Sequence, residues 1–458
     1  MPRVAIVGGG IAGLSAAYYL AKGGVASTII ESRSRLGGVI ETLHVGGCTI
    51  EAGPDSFLAI KPAAFDLLRE LGLEEQVIGS NDRLRKTFVR KGGRLIPLPD
   101  GLMMMVPTRI LPLLASPLVG WGTKLRMGLE LLRAPKPAAG DRSVAEFVGE
   151  HYGAEAVEYL AEPLLSGVYG GDPRELSVSS VLPRFVELAN RYGSLTRGVL
   201  AERAKAAKAG SRAASAPLFR TLKGGLGQMV AAVESAIAGK TEVRRGRAQT
   251  IERSGDGFRI RIGGDWLAAD RVVVACEAHS GAGLLESLDT PLAGLLGAVP
   301  YTSSMTVALG FDAADFARPP VGFGFLVPKR ERRRLMACTW VGTKFSYRVP
   351  PDKIVARCFM AGRDEAAIAE PDETIIPAIL RELQEIAGFS APLRFARVFR
   401  WPRSMAQYTV GHAERLAGIE ARVAAIPGLY LAGNAYEGIG VPDCIRLGRR
   451  AAESILRG

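Results

Sequence analysis

Cysteine is scarce and scattered. Cys48, Cys276, Cys338, Cys358 and Cys444 are the only five in 458 residues, and no two form a C-x-x-C. Such spacing speaks against a disulfide framework and reads as reduced thiols of a cytosolic protein. Histidine is scarcer still: His44, His151, His279 and His412 stand far apart, so nothing proposes a metal site. No uninterrupted apolar run reaches the length that spans a bilayer, which argues against a membrane-crossing chain. Met1 leads almost directly into a β run, which leaves no room for a signal peptide. No cluster of His, Cys or carboxylate suggests side-chain catalysis. A net charge of +12 favours acidic partners, such as anionic lipid, nucleic acid or a carboxylate-bearing substrate. Arginine is not bunched in one tail and no nucleic-acid-binding signature is present, so nucleic acid is set aside.

What is abundant is glycine, and its placement organises the reading. Val4 to Val7 is a short apolar β run, followed by Gly8-Gly9-Gly10-Ile11-Ala12-Gly13 and a helical stretch from Leu14 to Lys22. Gly8, Gly10 and Gly13 fit G-x-G-x-x-G: a tight turn, a close approach for a pyrophosphate, and close packing of helix on strand. The helix start offers free N–H groups to phosphate, and Ile11 and Ala12, between the glycines ahead of it, count among the candidate cofactor-binding residues. Thr28 to Ile30 reads as the second strand, and Glu31 at its end stands where a ribose-binding acid belongs. Ser32-Arg33-Ser34-Arg35-Leu36-Gly37-Gly38 follows, with arginines able to face phosphate and a glycine pair permitting close backbone approach. Val39 to Leu43 and Cys48 to Glu51 read as a hairpin about Gly46-Gly47. Ala52-Gly53-Pro54-Asp55-Ser56-Phe57 is then a turn.

These motifs, taken together, resemble flavoproteins of the amine oxidase superfamily, and within it the protoporphyrinogen and coproporphyrinogen oxidases. Three further stretches carry the resemblance. Glu162 to Pro173, with Tyr169-Gly170-Gly171-Asp172-Pro173, is similar to a signature of the porphyrinogen oxidases that general amine oxidases lack. Leu335 to Trp340, including Thr339, looks like the version in Gram-positive-type members. Trp401-Pro402 and Tyr430-Leu431-Ala432-Gly433-Asn434, with Gly440-Val441-Pro442-Asp443, resemble the C-terminal signature. The resemblance implies FAD, held at the residues above together with Val243, Trp401, Gly433, Asn434, Gly440, Val441 and Pro442. It implies a tetrapyrrole substrate, molecular oxygen as acceptor, hydrogen peroxide as by-product, and no catalytic side chain beyond the flavin. It leaves room for a homodimer.

The fold expected is α/β: a discontinuous Rossmann-like FAD-binding domain (residues 1–80, 218–298 and 398–458), an antiparallel-sheet substrate domain (81–98 and 299–397), and a helical insertion (99–217). Asn81 to Lys91 carries Arg83, Arg85, Lys86, Arg90 and Lys91. This is either a solvated basic edge or a site for substrate carboxylates. The family places a basic residue at the position of Thr87, so Arg85 or Lys86 stands in as the expected anchor. Gly101 to Leu132, rich in Leu, Met, Pro and Trp beside basic residues, reads either as core or as a surface lying on the inner face of the plasma membrane. Ser143-x-x-Glu146 is a capping box, and Ala201 to Ala216 a low-complexity solvated helix or loop. Rival readings are an amine oxidase or carotenoid desaturase on the same scaffold, a protein that binds flavin or tetrapyrrole without turnover, and a nicotinamide dehydrogenase.

Overall fold

The computed structural model describes residues 2–135, 140–208, 217–362 and 365–458. Of the low-complexity stretch, residues 209–216 lie outside the described residues, while Leu195–Lys208 is a helix. Contacts divide the chain into two compact units: residues 1–80, 217–300 and 414–458, and residues 81–216 and 301–413.

The first unit is built on a five-stranded parallel sheet. Its strands are β1 (Val4–Val7), β2 (Ser27–Glu31), β3 (Thr241–Arg245), β4 (Arg271–Val274) and β5 (Leu429–Leu431), in spatial order β3-β2-β1-β4-β5. All four pairings are parallel. A parallel sheet covered on both faces needs continuous apolar strands, and Val4 to Val7 are all buried. Helix α1 (Ile11–Lys22) packs against α2 (Val441–Leu456). Gly448 permits that closeness, because a Cβ there would stand 2.1 Å from the carbonyl oxygen of Ala12. The hairpin expected before residue 52 is present as Thr42–Val45 paired with Cys48–Glu51.

The second unit holds a seven-stranded sheet. Its spatial order is Phe395–Ala406, Tyr301–Asp312, Lys353–Gly362, Ala337–Trp340, Gly324–Leu326, Thr87–Lys91, Arg94–Pro97. The pairings are antiparallel except one: Gly324–Leu326 runs parallel to Thr87–Lys91. The sheet is therefore mixed rather than purely antiparallel. Helix Asp372–Ala387 lays Ile375, Ile379 and Leu383 on one face of it, against Val307, Leu309, Cys338 and Cys358. Each of the Val, Ile and Leu side chains among them, fully buried, contributes roughly 1.5–3 kcal/mol.

Strand Phe395–Ala406 pairs along its length with Tyr301–Asp312, so residue 398, expected to open the last segment of the nucleotide domain, lies inside this second sheet. The capping box is formed as read: Ser143 Oγ accepts from the Glu146 N–H, and Glu146 accepts from the Ser143 N–H. Helix Val144–Tyr152 follows. Among the described residues no helix is long and apolar enough to cross a membrane, and no group of three or more metal-ligating side chains occurs.

Candidate functional site

The loop after β1 is set by contacts that tolerate no side chain. Gly8 has φ +109°, and a Cβ on it would stand 2.8 Å from the Ala275 carbonyl oxygen. At Gly13 a Cβ would stand 2.0 Å from the carbonyl oxygen of Gly8, so the first turn of α1 folds tightly onto the loop. Gly10 differs: its nearest neighbour would be the Gly38 Cα at 4.0 Å, so the backbone is open there. Gly10 is also the N-cap of α1; it supplies no side-chain cap, and the first turn has no acidic residue. The N–H groups at Ile11, Ala12 and Gly13 thus head a helix whose positive end is not neutralised from within.

Glu31 closes this loop from the end of β2. Its Oε2 accepts from the Gly9 N–H at 2.8 Å and its Oε1 from the Arg33 N–H at 2.7 Å, and the residue is buried. Ser32 Oγ lies 3.4 Å from Glu31 Oε1. The second glycine pair docks on the first, through the Gly37 N–H donating to the Gly9 carbonyl at 2.8 Å. Arg35 is engaged elsewhere than at a phosphate. Its guanidinium donates to the carbonyls of Leu36, Gly38 and Ile40 and to Glu41, which fixes the shape of the Gly37-Gly38 turn. Gly53 passes so close to Val39 that a Cβ would stand 2.0 Å from its carbonyl oxygen. Beyond Pro54, the Asp55 carbonyl accepts from Thr221 Oγ1 and the Ser56 hydroxyl donates to the Asp55 carboxylate. Val243 sits in β3 with part of its surface open, two residues before Arg245, which stands opposite Glu31.

The C-terminal motif reaches the same end of the parallel sheet. Strands β1, β4 and β5 are neighbours, so their following loops emerge at one edge, where parallel sheets bind ligands. Ala275-Cys276 lies between them: Gly8 packs on Ala275, and Gly433 (φ +146°) lies nearest the Cys276 carbonyl. Asn434 follows, and then Gly440 caps α2 ahead of Val441 and Pro442. The Asp443 carboxylate accepts from the Gly440 N–H at 3.2 Å and pairs with Lys61 Nζ at 2.6 Å. Burial pushes the Cys276 and Cys444 thiols up to about 12, so neither supplies a thiolate here.

Sequence reasoning missed the Lys61–Asp443 pair and the Ala275-Cys276 bridge. The acid three residues past Gly440 is a capping signal that could have found Asp443. Nothing local marks Lys61 or Ala275. Also missed was Glu51, whose buried carboxylate accepts from the Leu226 N–H at the head of helix Gly227–Ile237.

Trp401 is placed in the second unit, buried on strand Phe395–Ala406. Thr339 is there too, facing Gly324 on one side and Arg357 on the other. The five basic residues near Thr87 do not act together. Arg90 is buried and pairs with Glu331 and Glu385, and Lys91 pairs with Glu155. Arg85 and Lys86 remain exposed, Arg85 at 3.9 Å from Asp82 and Lys86 Nζ at 5.9 Å from the Phe88 ring centroid.

The Glu162–Tyr169 helix of the signature stretch begins directly after a π-helical turn, Val157–Ala161. Its tail is fastened by Gln407, whose Nε2 donates to the Tyr169 carbonyl at 2.7 Å and to Thr302 Oγ1 at 3.0 Å. A Cβ on Gly171 would stand 1.9 Å from Gln407 Oε1, which explains glycine there. Burial raises the Asp172 carboxyl, but hydrogen bonds from Arg174 and Lys329 outweigh it and hold the group well below the carboxylate range.

An open anion cradle at a helix start, an acid beside it and glycines at the same sheet edge fit the pyrophosphate and ribose of a dinucleotide. The comparisons agree. The flavin containing amine oxidoreductase family matches residues 11–456. A protein of Bacillus subtilis named coproporphyrinogen III oxidase is 34% identical over 99% of this chain and 98% of its own length. A human protein named protoporphyrinogen oxidase is 30% identical over 99% and 98%. A solved structure from Exiguobacterium sp. 255-15, described as a candidate protoporphyrinogen oxidase, superimposes with a TM-score of 0.89 at 31% identity, covering 100% of this chain and 99% of that one. The chain belongs to the flavin containing amine oxidoreductase family.

Proposed function

We propose that the chain is an FAD-dependent oxidase that converts a porphyrinogen, protoporphyrinogen IX or coproporphyrinogen III, to the corresponding porphyrin. The observation that carries this reading is identity to enzymes of those names along nearly the whole of both chains. FAD, when bound, supplies the redox chemistry, taking six electrons from the ring in three rounds and passing them to molecular oxygen, with hydrogen peroxide as product. The chain's own residues bind and position. Gly10, Ile11, Ala12 and Gly13 offer backbone N–H groups to the pyrophosphate, and Glu31 the acceptor for a ribose hydroxyl. Gly433, Asn434 and the head of α2 offer a polar wall and a helix N-terminus where negative charge collects. Val243 lies beside the cofactor in this reading, and Arg35 acts through the Gly37-Gly38 turn it braces. Arg85 and Lys86 are exposed cations that draw an acidic substrate toward Thr339 and its neighbours.

Anaerobic mixing tests it. A yellow purified protein should bleach on addition of porphyrinogen and recover on admission of air, with porphyrin fluorescence and peroxide appearing together. A yellow protein that never bleaches is a binding protein, and bleaching by an amine instead points to an amine oxidase. A colourless protein that uses nicotinamide overturns the reading altogether.

A second reading concerns location. Helix Trp121–Leu129 exposes Trp121, Leu125 and Leu129, one turn apart, and Ile110, Leu111 and Leu132 are exposed beside it in sequence. With Arg109 and Arg126 exposed in the same segment, this apolar and basic surface suits the inner face of an anionic membrane. In this reading the enzyme is cytoplasmic and peripheral.

A further inference from the structure

Cys338 and Cys358 stand directly opposite each other on neighbouring antiparallel strands, Ala337–Trp340 and Lys353–Gly362. Their pairing is of the closer kind. Backbone groups alternate in direction along a strand, and the Trp340 N–H donates to the Phe323 carbonyl, on the side of Gly324–Leu326. Cys338, two residues earlier, therefore also turns its backbone toward Gly324–Leu326 and away from Cys358. The two cysteines thus form a non-hydrogen-bonded pair, in which Cα atoms lie about 4.5 Å apart and side chains share one face. Disulfides join Cα atoms about 4.4–6.8 Å apart, so the two strands already hold the cysteines at bonding range. The thiols meet, since the two side chains are hydrogen-bonded to each other. Both are free and buried, in the same apolar cluster as Val307 of the sheet and Ile375, Ile379 and Leu383 of helix Asp372–Ala387.

We infer that Cys338 and Cys358 are a redox pair that hydrogen peroxide closes into a cross-strand disulfide. Peroxide is nearly as small as water and carries no charge, so it enters an apolar core that keeps out bulkier thiol reagents. One thiol attacks the peroxide and becomes a sulfenic acid, and a first water leaves. The second sulfur then displaces the hydroxyl as a second water, and the S–S bond forms. In sum the two thiols give up two protons and two electrons, and one peroxide becomes two waters. The nearness of the second thiol decides the product. A sulfenic acid with a thiol at hydrogen-bond range condenses with it, where an isolated one goes on to sulfinic acid. Burial pushes the Cys338 thiol well above its ordinary value, so thiolate is scarce and closure is slow. A slow pair answers to accumulated peroxide rather than to single turnovers. The porphyrinogen reading names a source, since peroxide is the product of that reaction, but the pair stands without it. The bond fastens the strand that carries Thr339 to its neighbour.

Peroxide treatment of the folded, flavin-loaded protein tests this, with the thiols counted afterwards by alkylation in denaturant. The count should fall from five to three, with Cys48, Cys276 and Cys444 still labelled. Peptide mass spectrometry should find the Cys338 and Cys358 peptides joined, lighter by two hydrogens and separated by a reductant. Cys358→Ser should yield no joined peptide and carry Cys338 to sulfinic acid. If that variant does not fold, wild type unfolded before the peroxide is the control, and it should lose the preference for this pairing. Five labelled cysteines at a dose that converts methionines to sulfoxide overturn the assignment. So does sulfinic acid at Cys338 of the folded wild type, or a joined peptide of a different pairing. Turnover of porphyrinogen in air is a separate arm. A link that forms there, and is suppressed by catalase, identifies the enzyme's own peroxide as the oxidant. A wild type that turns over no porphyrinogen fails the functional reading and leaves the pair to be judged by added peroxide alone.

Discussion

Glu31 earns its place through two bonds that exist without any ligand. It receives the N–H groups of Gly9 and Arg33, so it shapes the loop as well as offering an acceptor. Glu31→Ala should therefore cost more than one ribose contact. After dialysis the ratio of flavin to protein absorbance should fall at least tenfold below wild type, and full retention would remove Glu31 from the site. The exposed pair is expected to matter less. Surface ion pairs are typically worth under about 1 kcal/mol, so Arg85→Gln with Lys86→Met should raise KM by roughly threefold, an effect that vanishes at high salt. A salt-independent loss in kcat would contradict an entrance role. At this scale the sequence was legible where partners are close in the chain. Gly8, Gly13 and Glu31 lie within one β-α-β unit, and their spacing alone declares them. Arg90 and Lys91 looked like members of a basic site because Glu331, Glu385 and Glu155, which neutralise them, are 64 to 295 residues away.

Among the elements, helix Leu195–Lys208 depends on a carboxylate from another part of the chain. Glu130 is buried and accepts from the Leu195 N–H, from Ser194 Oγ at 2.7 Å and from His151 Nδ1 at 2.9 Å, so it caps the helix. Burial raises its carboxyl, but these bonds outweigh burial and bring it below the ordinary value of 4.5. A depressed folded value stabilises the protein fully above that ordinary value, and the contribution is lost as pH falls through the folded value. Glu130→Gln should lower stability at neutral pH by about 1–3 kcal/mol. Its melting temperature should also depend less on pH below about 4.5 than that of wild type. Parallel acid melting curves for the two proteins would show that Glu130 does not carry this term.

The apolar element near residue 120 divides between core and surface. Met105 turns inward and is buried, while the exposed stripe falls on Leu111, Trp121, Leu125 and Leu129. Leu111→Glu with Leu125→Glu should halve co-sedimentation with anionic vesicles or do more, with the melting temperature kept. A wild type that never sediments leaves the stripe to a different partner. The apolar and basic composition was visible in the sequence, but which side of a short helix in a proline-broken segment meets water is decided by packing, and so was not.

Across the whole molecule, the sheet of the first unit was legible at its beginning and its end, where glycine motifs flag strand ends. The second sheet was less so. Strand Phe395–Ala406 carries a nucleotide-binding motif by resemblance yet is hydrogen-bonded along Tyr301–Asp312. Only long-range pairing decides that, and periodicity is blind to it. The single parallel pair, Gly324–Leu326 with Thr87–Lys91, joins segments more than 230 residues apart and has no local signal.

The order of the parallel sheet has a consequence for synthesis. Its spatial sequence β3-β2-β1-β4-β5 draws strands from residue 4 to residue 431, and β5 with its Gly433 loop is the last to be made. A growing chain with β1, α1 and β2 complete owns the phosphate loop long before it owns the far wall of the same cleft. A chain ended after Pro427 should therefore fail to retain flavin, read as a colourless protein after gel filtration, even though Gly8 to Glu31 are all present. Retention by that fragment would mean the first β-α-β unit suffices. In the cell, flavin capture then waits until the ribosome has passed β5 and its Gly433 loop, and the nascent first strands gain the neighbours that cover their edges only once residues 241 to 274 have been made.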